Sequence, residues 1–206
     1  TTYTNAAINH TSTRLIPVRK NPDAVMIVSP ADHLILNEEE FHKIVNNCTD
    51  FVEHNNALMT IGIEPSRPET GYGYIQTDMS CPSARNKEIY RVDAFREKPD
   101  LATAEKYIRK PNMLWNAGIF IWNVSTIVNA LRVYAPEINE VFENLLPLYG
   151  TDKEQDAINE NFPKCESISV DYAILEKSEE IYCFPASFGW SDLGTWGSLR
   201  DNVSRD

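Results

Sequence analysis

Two widely separated aspartates and one lysine carry the chemistry that this sequence offers. Asp32 follows Ala24-Val25-Met26-Ile27-Val28, a continuous apolar run rich in β-branched side chains, and Ser29-Pro30 ends that run. Asp192 stands between a second apolar run, Ile181 to Phe184, and a closing segment that reads as a helix. Lys98 sits beside Glu97 where a third run, Glu88 to Glu97, terminates. Open α/β sheets bind ligands at the carboxyl ends of their strands, so a carboxylate there is most simply a metal ligand. Mg²⁺ takes hard oxygens and is typically held by one or two carboxylates together with substrate phosphates. The set suits phosphoryl or nucleotidyl transfer, in which positioning and charge stabilisation supply the catalysis. It names no substrate. A zinc protease, a serine hydrolase and a P-loop phosphotransferase are disfavoured, because H-E-x-x-H, G-x-S-x-G and G-x-x-x-x-G-K are absent.

The elements that must hold these residues follow from periodicity. The Asp32 strand reads as a central one, buried on both faces inside a parallel sheet. Asn37 caps the helix that follows, with Glu40 at its third position, and Phe41, Ile44, Val45, Cys48, Phe51 and Val52 form one apolar stripe. Glu38 to Glu40 complement the helix dipole, and His42 and His54 lie off the stripe, toward solvent. Leu58 to Ile63 is a second buried strand, which completes a right-handed βαβ unit. Gly71-Tyr72-Gly73 leads into another strand, where glycine marks a bulge or a close approach of ligand to backbone. Residues 79–87 read as turns, Glu88 to Glu97 as an antiparallel strand, and Asp100 as the cap of a helix to about Arg109. Leu114 to Trp122 is an aromatic strand whose Asn116 must satisfy its amide through backbone or a bound ligand. Helices are expected at Val124 to Tyr134, Pro136 to Leu146 and Thr151 to Asn161, with another beginning at Ser169. A short one could lie within Asn5 to Ile16.

Composition agrees with one soluble α/β domain. The chain has 206 residues, 42% hydrophobic and 24% charged, enough to bury a substantial core. A net charge of -11 argues against nucleic-acid binding, and an acidic protein that handles phosphates needs local lysines and a divalent cation. Cys48, Cys81, Cys165 and Cys183 have no metal-finger spacing and read as buried free thiols of a reducing compartment. No apolar run approaches the ~20 residues of a membrane span, and no signal peptide opens the chain. A cytoplasmic location without membrane contact is the expectation.

Six ordered motifs add a resemblance. Pro30-Ala31-Asp32-His33, Thr70-Gly71-Tyr72-Gly73-Tyr74-Ile75, Phe95-Arg96-Glu97-Lys98-Pro99, Trp115-Asn116-Ala117-Gly118-Ile119-Phe120, Ser169-Val170-Asp171-Tyr172-Ala173 and Gly189-Trp190-Ser191-Asp192-Leu193-Gly194-Thr195-Trp196 occur in that order. Together they resemble the mannose-1-phosphate guanylyltransferases (GDP-mannose pyrophosphorylases) of the sugar-nucleotidyltransferase superfamily, over roughly Asn21 to Asn202. The resemblance implies a Rossmann-like α/β fold with a mixed, mainly parallel sheet flanked by helices. It implies that Asp32 and Asp192 hold Mg²⁺ on the phosphates of GTP and that Lys98 pairs with the phosphate of mannose 1-phosphate. Glu97, Asn116 and Asp171 would bind sugar hydroxyls, with the backbone at Gly73 against the sugar.

The family opens with a glycine-rich loop ending in an Arg-Leu-Trp-Pro-Leu-like run, followed by a lysine, which grips the nucleoside triphosphate. Ser12-Thr13-Arg14-Leu15-Ile16-Pro17-Val18 echoes the tail of that motif but directly precedes the Asp32 strand, and is read as coincidence. The expectation is a single catalytic domain, residues 1–206, truncated at its N-terminus relative to the family, with weak or absent GTP binding. Two other readings stay open. One is a non-catalytic sugar-phosphate-binding or assembly module, and the other a metal-dependent glycosyltransferase using Asp32, against which the lack of a second nearby aspartate tells. A homo-oligomer is compatible with the sequence.

Overall fold

The computed structural model describes residue 21 and residues 23–193. In chain order the described elements are β1 (Val25–Val28), β2 (Leu34–Ile35), α1 (Glu38–Glu53), β3 (Leu58–Ile63), β4 (Tyr74–Pro82), β5 (Tyr90–Arg96), α2 (Leu101–Tyr107), β6 (Met113–Asn123), α3 (Val124–Tyr134), α4 (Pro136–Leu145), α5 (Glu154–Asn161), β7 (Ile181–Ala186) and β8 (Trp190–Ser191). The helix expected within Asn5 to Ile16, the Arg14-Leu15-Ile16-Pro17 run and the helix expected after Asp192 lie outside the described residues.

The mixed α/β fold with a central sheet flanked by helices is present. Six strands pair in the order β1-β6-β3-β7-β5-β4, and β6 also reaches β4. The expectation of mainly parallel pairing is corrected: among the described residues only β3 and β7 pair in parallel. The βαβ unit exists, since β1 and β3 both run antiparallel to β6 and so run the same way. However, β6 lies between them. Periodicity reports how a strand is buried, and it is silent about a neighbour arriving from ninety residues along the chain. Nor is β1 central among the described strands: it pairs with β6, and Ile27 is 50% exposed.

Strand β6 divides the core because side chains alternate across a strand. Met113, Trp115, Ala117, Ile119 and Ile121 face the layer holding Ile44, Cys48, Phe51 and Val52 of α1. Leu114, Phe120 and Trp122 face the layer holding Ile127, Ala130 and Leu131 of α3. A third cluster joins Ile138, Phe142 and Leu145 of α4 to Tyr149 and Ala157, the one buried residue by which the surface helix α5 is seated. Asn37 caps α1 by accepting from Glu40 N at 3.1 Å, and Asp100 caps α2 by accepting from Thr103 N at 2.7 Å. His42 and His54 are exposed.

Three local expectations change. β4 extends to Pro82 through residues read as turn, because its outer half pairs with β5 across register shifts. The helix expected from Ser169 is a single π turn, Asp171–Leu175, whose Ala173, Ile174 and Leu175 plug the α3-side core. Of the four thiols, Cys48 and Cys183 are buried, Cys165 is half-buried and Cys81 is exposed on β4, outside the all-buried expectation. No described helix is long and apolar enough to cross a membrane.

Candidate active site

Asp32, Gly73, Glu97, Lys98, Asn116, Asp171 and Asp192 line one cavity of about 430 Å³. Its volume is in the range of small-molecule sites, and the side chains come from segments spread over most of the described chain.

One wall holds the two aspartates. Strands β2 and β8 form a two-stranded antiparallel ribbon, Leu34 opposite Ser191 and Ile35 opposite Trp190. Asp32 precedes one strand of the ribbon and Asp192 follows the other, so the pairing brings chain-distant carboxylates to the same end. Asp32 is exposed and Asp192 is buried, at 6%. Tyr72 donates its hydroxyl to Asp192 Oδ1 at 2.7 Å. Its ring is wedged edge-on between Trp115 and Trp190, at centroid distances of 5.2 and 5.3 Å. Arg67 lies over the Trp115 ring at 5.4 Å. Burial, followed by the bond to Asp192, pushes the Tyr72 phenol well above its ordinary pKa.

His33 joins the two halves of this wall. Trp190 Nε1 donates to His33 Nδ1 at 3.1 Å. An indole N–H only donates, so Nδ1 accepts and the neutral imidazole carries its proton on Nε2. Burial lowers the His33 pKa, and the nearby charges of Asp32 and Asp192 oppose that shift. Both carboxylates therefore act on one imidazole.

The rest of the lining groups Glu97, Lys98, Asn116 and Asp171. Lys98 adopts φ +44°, a left-handed backbone that costs a non-glycine residue roughly 1 kcal/mol or more. Just past β5 this turn sends both Glu97 and Lys98 into the cavity, where their side chains pair at 3.2 Å with Glu97 10% and Lys98 50% exposed. Gly73 makes room for Glu97: a Cβ there would fall 2.5 Å from Glu97 Oε2. The Gly73 carbonyl accepts from Asn116 N at 2.8 Å.

Asn116 satisfies its amide within the protein and still faces the cavity. Its Oδ1 accepts from Thr60 Oγ1 at 3.0 Å and from Gly118 N at 3.1 Å, and its Nδ2 donates to Asp171 Oδ1 at 3.3 Å. Gly118 takes φ +68°, which bends β6 just beyond this residue. Asp171 opens the π turn. Burial, and then the charge of Glu97, push its carboxyl up to about 7.

The residues missed by sequence reasoning are those that hold the cavity's side chains and walls in place: Tyr72, His33, Trp190 and Thr60. The first three stand inside the quoted motifs, so their presence was visible and their roles were not. Thr60 had a weaker signal, one hydroxyl in an apolar strand, and it is fully buried. By ligand count alone, Asp50, Glu53 and His54 could also gather around a metal, but all three are exposed, Asp50 is paired with Arg85 at 3.1 Å, and none lines the cavity.

Comparison with known proteins matches residues 11–206 to the family model described as nucleotidyl transferase. Mannose-1-phosphate guanylyltransferase RfbM of Salmonella typhimurium is 36% identical over 187 residues, which is 90% of this chain and 38% of that protein. The mannose-1-phosphate guanylyltransferase of Escherichia coli K12 is 35% identical over 86% of this chain and 37% of its own length. The chain thus spans under two fifths of these curated relatives. A crystal structure described as mannose-1-phosphate geranyltransferase from Thermus thermophilus superposes with a TM-score of 0.81 at 30% identity, covering 97% of this chain and 56% of that one. A Helicobacter pylori structure described as mannose-6-phosphate isomerase shares the fold, with a TM-score of 0.70 at 21% identity over 87% of this chain and 68% of its own. With the family model covering nearly the whole sequence and the fold shared, the chain belongs to the nucleotidyl transferase family.

Proposed function

We propose that the protein forms GDP-mannose and pyrophosphate from GTP and mannose 1-phosphate, in the cytoplasm. A phosphate oxygen of mannose 1-phosphate attacks the α-phosphorus of GTP in line; a new P–O bond forms as the bond to the β-phosphate oxygen breaks and pyrophosphate leaves. No enzyme nucleophile is needed. The observation that supports this reading is that Asp32, Asp192 and Lys98, far apart in the chain, line one cavity.

Nucleotidyl transferases use a divalent metal, and the donor set fits Mg²⁺: two hard carboxylates, Asp32 and Asp192, with Asp192 anchored by Tyr72. When bound, Mg²⁺ would neutralise charge on the attacked and leaving phosphates. Lys98 binds the phosphate of mannose 1-phosphate and offsets the repulsion between two anions. Glu97, Asn116 and Asp171 orient the sugar through its hydroxyls, with the Gly73 backbone beneath it. Holding both substrates in register is the main catalytic contribution, since it turns a bimolecular encounter into a local one.

The test is pyrophosphate release by the intact protein with GTP, mannose 1-phosphate and Mg²⁺, run beside calorimetric binding of each substrate. Release that requires all three supports the reading. Binding of mannose 1-phosphate without turnover would replace it with a sugar-phosphate-binding module.

A further inference from the structure

We propose that Tyr72 is a positioning residue that makes Asp192 a one-oxygen ligand and so selects Mg²⁺ or Mn²⁺ over Ca²⁺. The inference rests on the assignment of Asp192 as a cation ligand given above. Mg²⁺ demands near-ideal octahedral geometry and few protein ligands, whereas Ca²⁺ accepts six to eight oxygens and readily takes a carboxylate through both. A site that offers one oxygen per carboxylate therefore penalises Ca²⁺ more than Mg²⁺.

The geometry engages the second oxygen of Asp192 elsewhere. Its Oδ1 accepts the Tyr72 hydroxyl at 2.7 Å, which occupies one of that oxygen's two lone pairs and draws charge from it, making it the weaker ligand of the two oxygens. Oδ2 is the oxygen assigned to the cation. Neither partner can move aside cheaply. Asp192 is buried, and the Tyr72 ring is fixed between two indoles, Trp115 at 88° and Trp190 at 70° to its plane. Trp190 is itself pinned by its bond to His33 and by the β2–β8 ribbon. Tyr72 lies between Gly71 and Gly73, with Gly73 held by the Asn116 N–H. The phenol is thus built into the site from three sides. Partners of this kind usually change metal affinity ten- to a hundredfold when removed.

The experiment measures Mn²⁺ bound to the full chain by electron paramagnetic resonance, then its displacement by Mg²⁺ and by Ca²⁺, without substrates or turnover. Tyr72→Phe keeps the ring between the indoles and deletes only the hydroxyl. The expected result is a fall of about tenfold in the ratio of Ca²⁺ to Mg²⁺ needed for half-displacement. An unchanged ratio in Tyr72→Phe, alongside loss of Mn²⁺ binding in Asp192→Asn, would overturn the Tyr72 inference and leave the metal site standing. Mn²⁺ binding at wild-type affinity in Asp192→Asn would overturn both.

Discussion

Single residues divide the cavity's work, and their substitutions separate chemistry from stability. Asp192→Asn keeps the shape and the Tyr72 bond but loses the charge; turnover of the intact protein should fall by about a hundredfold or more while Tm changes by only a few degrees, read by pyrophosphate release and a thermal melt. Equal losses in both would make Asp192 a structural residue. Lys98→Met should instead raise the KM for mannose 1-phosphate, by roughly tenfold or more, with little change in the KM for GTP. Asp171 gives a pH signature. Its folded-state value of about 7 lies above the ordinary carboxylate value, so the folded protein holds a proton there that the unfolded chain releases. The cost of its charge is absent near pH 4 and grows as pH rises to 7. Asp171→Asn should therefore melt about 5 °C above wild type at pH 8 and close to it at pH 4. At this scale the seven cavity residues were legible because each stands at a strand end or in a motif. Their supports were not, because Tyr72 and Trp190 act through side-chain contacts between segments far apart in the chain, and spacing along one chain carries no trace of that.

Elements place those residues, and the boundaries set by local chemistry were the most legible. Asn37 and Asp100 cap as their types suggest, and Pro136 begins α4 at its first position. Asn37→Ala should cost about 1 kcal/mol, a drop of some 2–4 °C in Tm, with turnover unchanged at temperatures below the melt. The ribbon of β2 and β8 was not legible. Each strand is two residues long, too short for any period to register, and its stability comes from the partner strand and from Phe188, Trp190 and Leu36 packed nearby. The π turn escaped for a related reason: Ala173, Ile174 and Leu175 are apolar in succession, and packing of three consecutive residues against α3 outweighs the i→i−4 pattern there.

For the whole molecule, β6 is the wall shared by both core layers and by the cavity, and it pairs with β1, β3 and β4. Its close packing shows at Gly62 on β3, where a Cβ would fall 2.6 Å from Cys183 Sγ and 2.7 Å from Leu114 Cδ1. Gly62→Ala should therefore destabilise by about 1–3 kcal/mol in a denaturant titration, with no loss of folded-state substrate affinity. The mixed fold was legible from the alternation of apolar strands and amphipathic helices; the strand order was not, because long-range pairing is decided by closure of the sheet. That closure has a temporal side. Strand β1 has no described partner until β6 is made, and Asp32 has no companion carboxylate until β8 leaves the ribosome. The cavity is therefore assembled late relative to its own walls: every strand of the six-stranded sheet has been made before the ribbon that carries Asp192 can close.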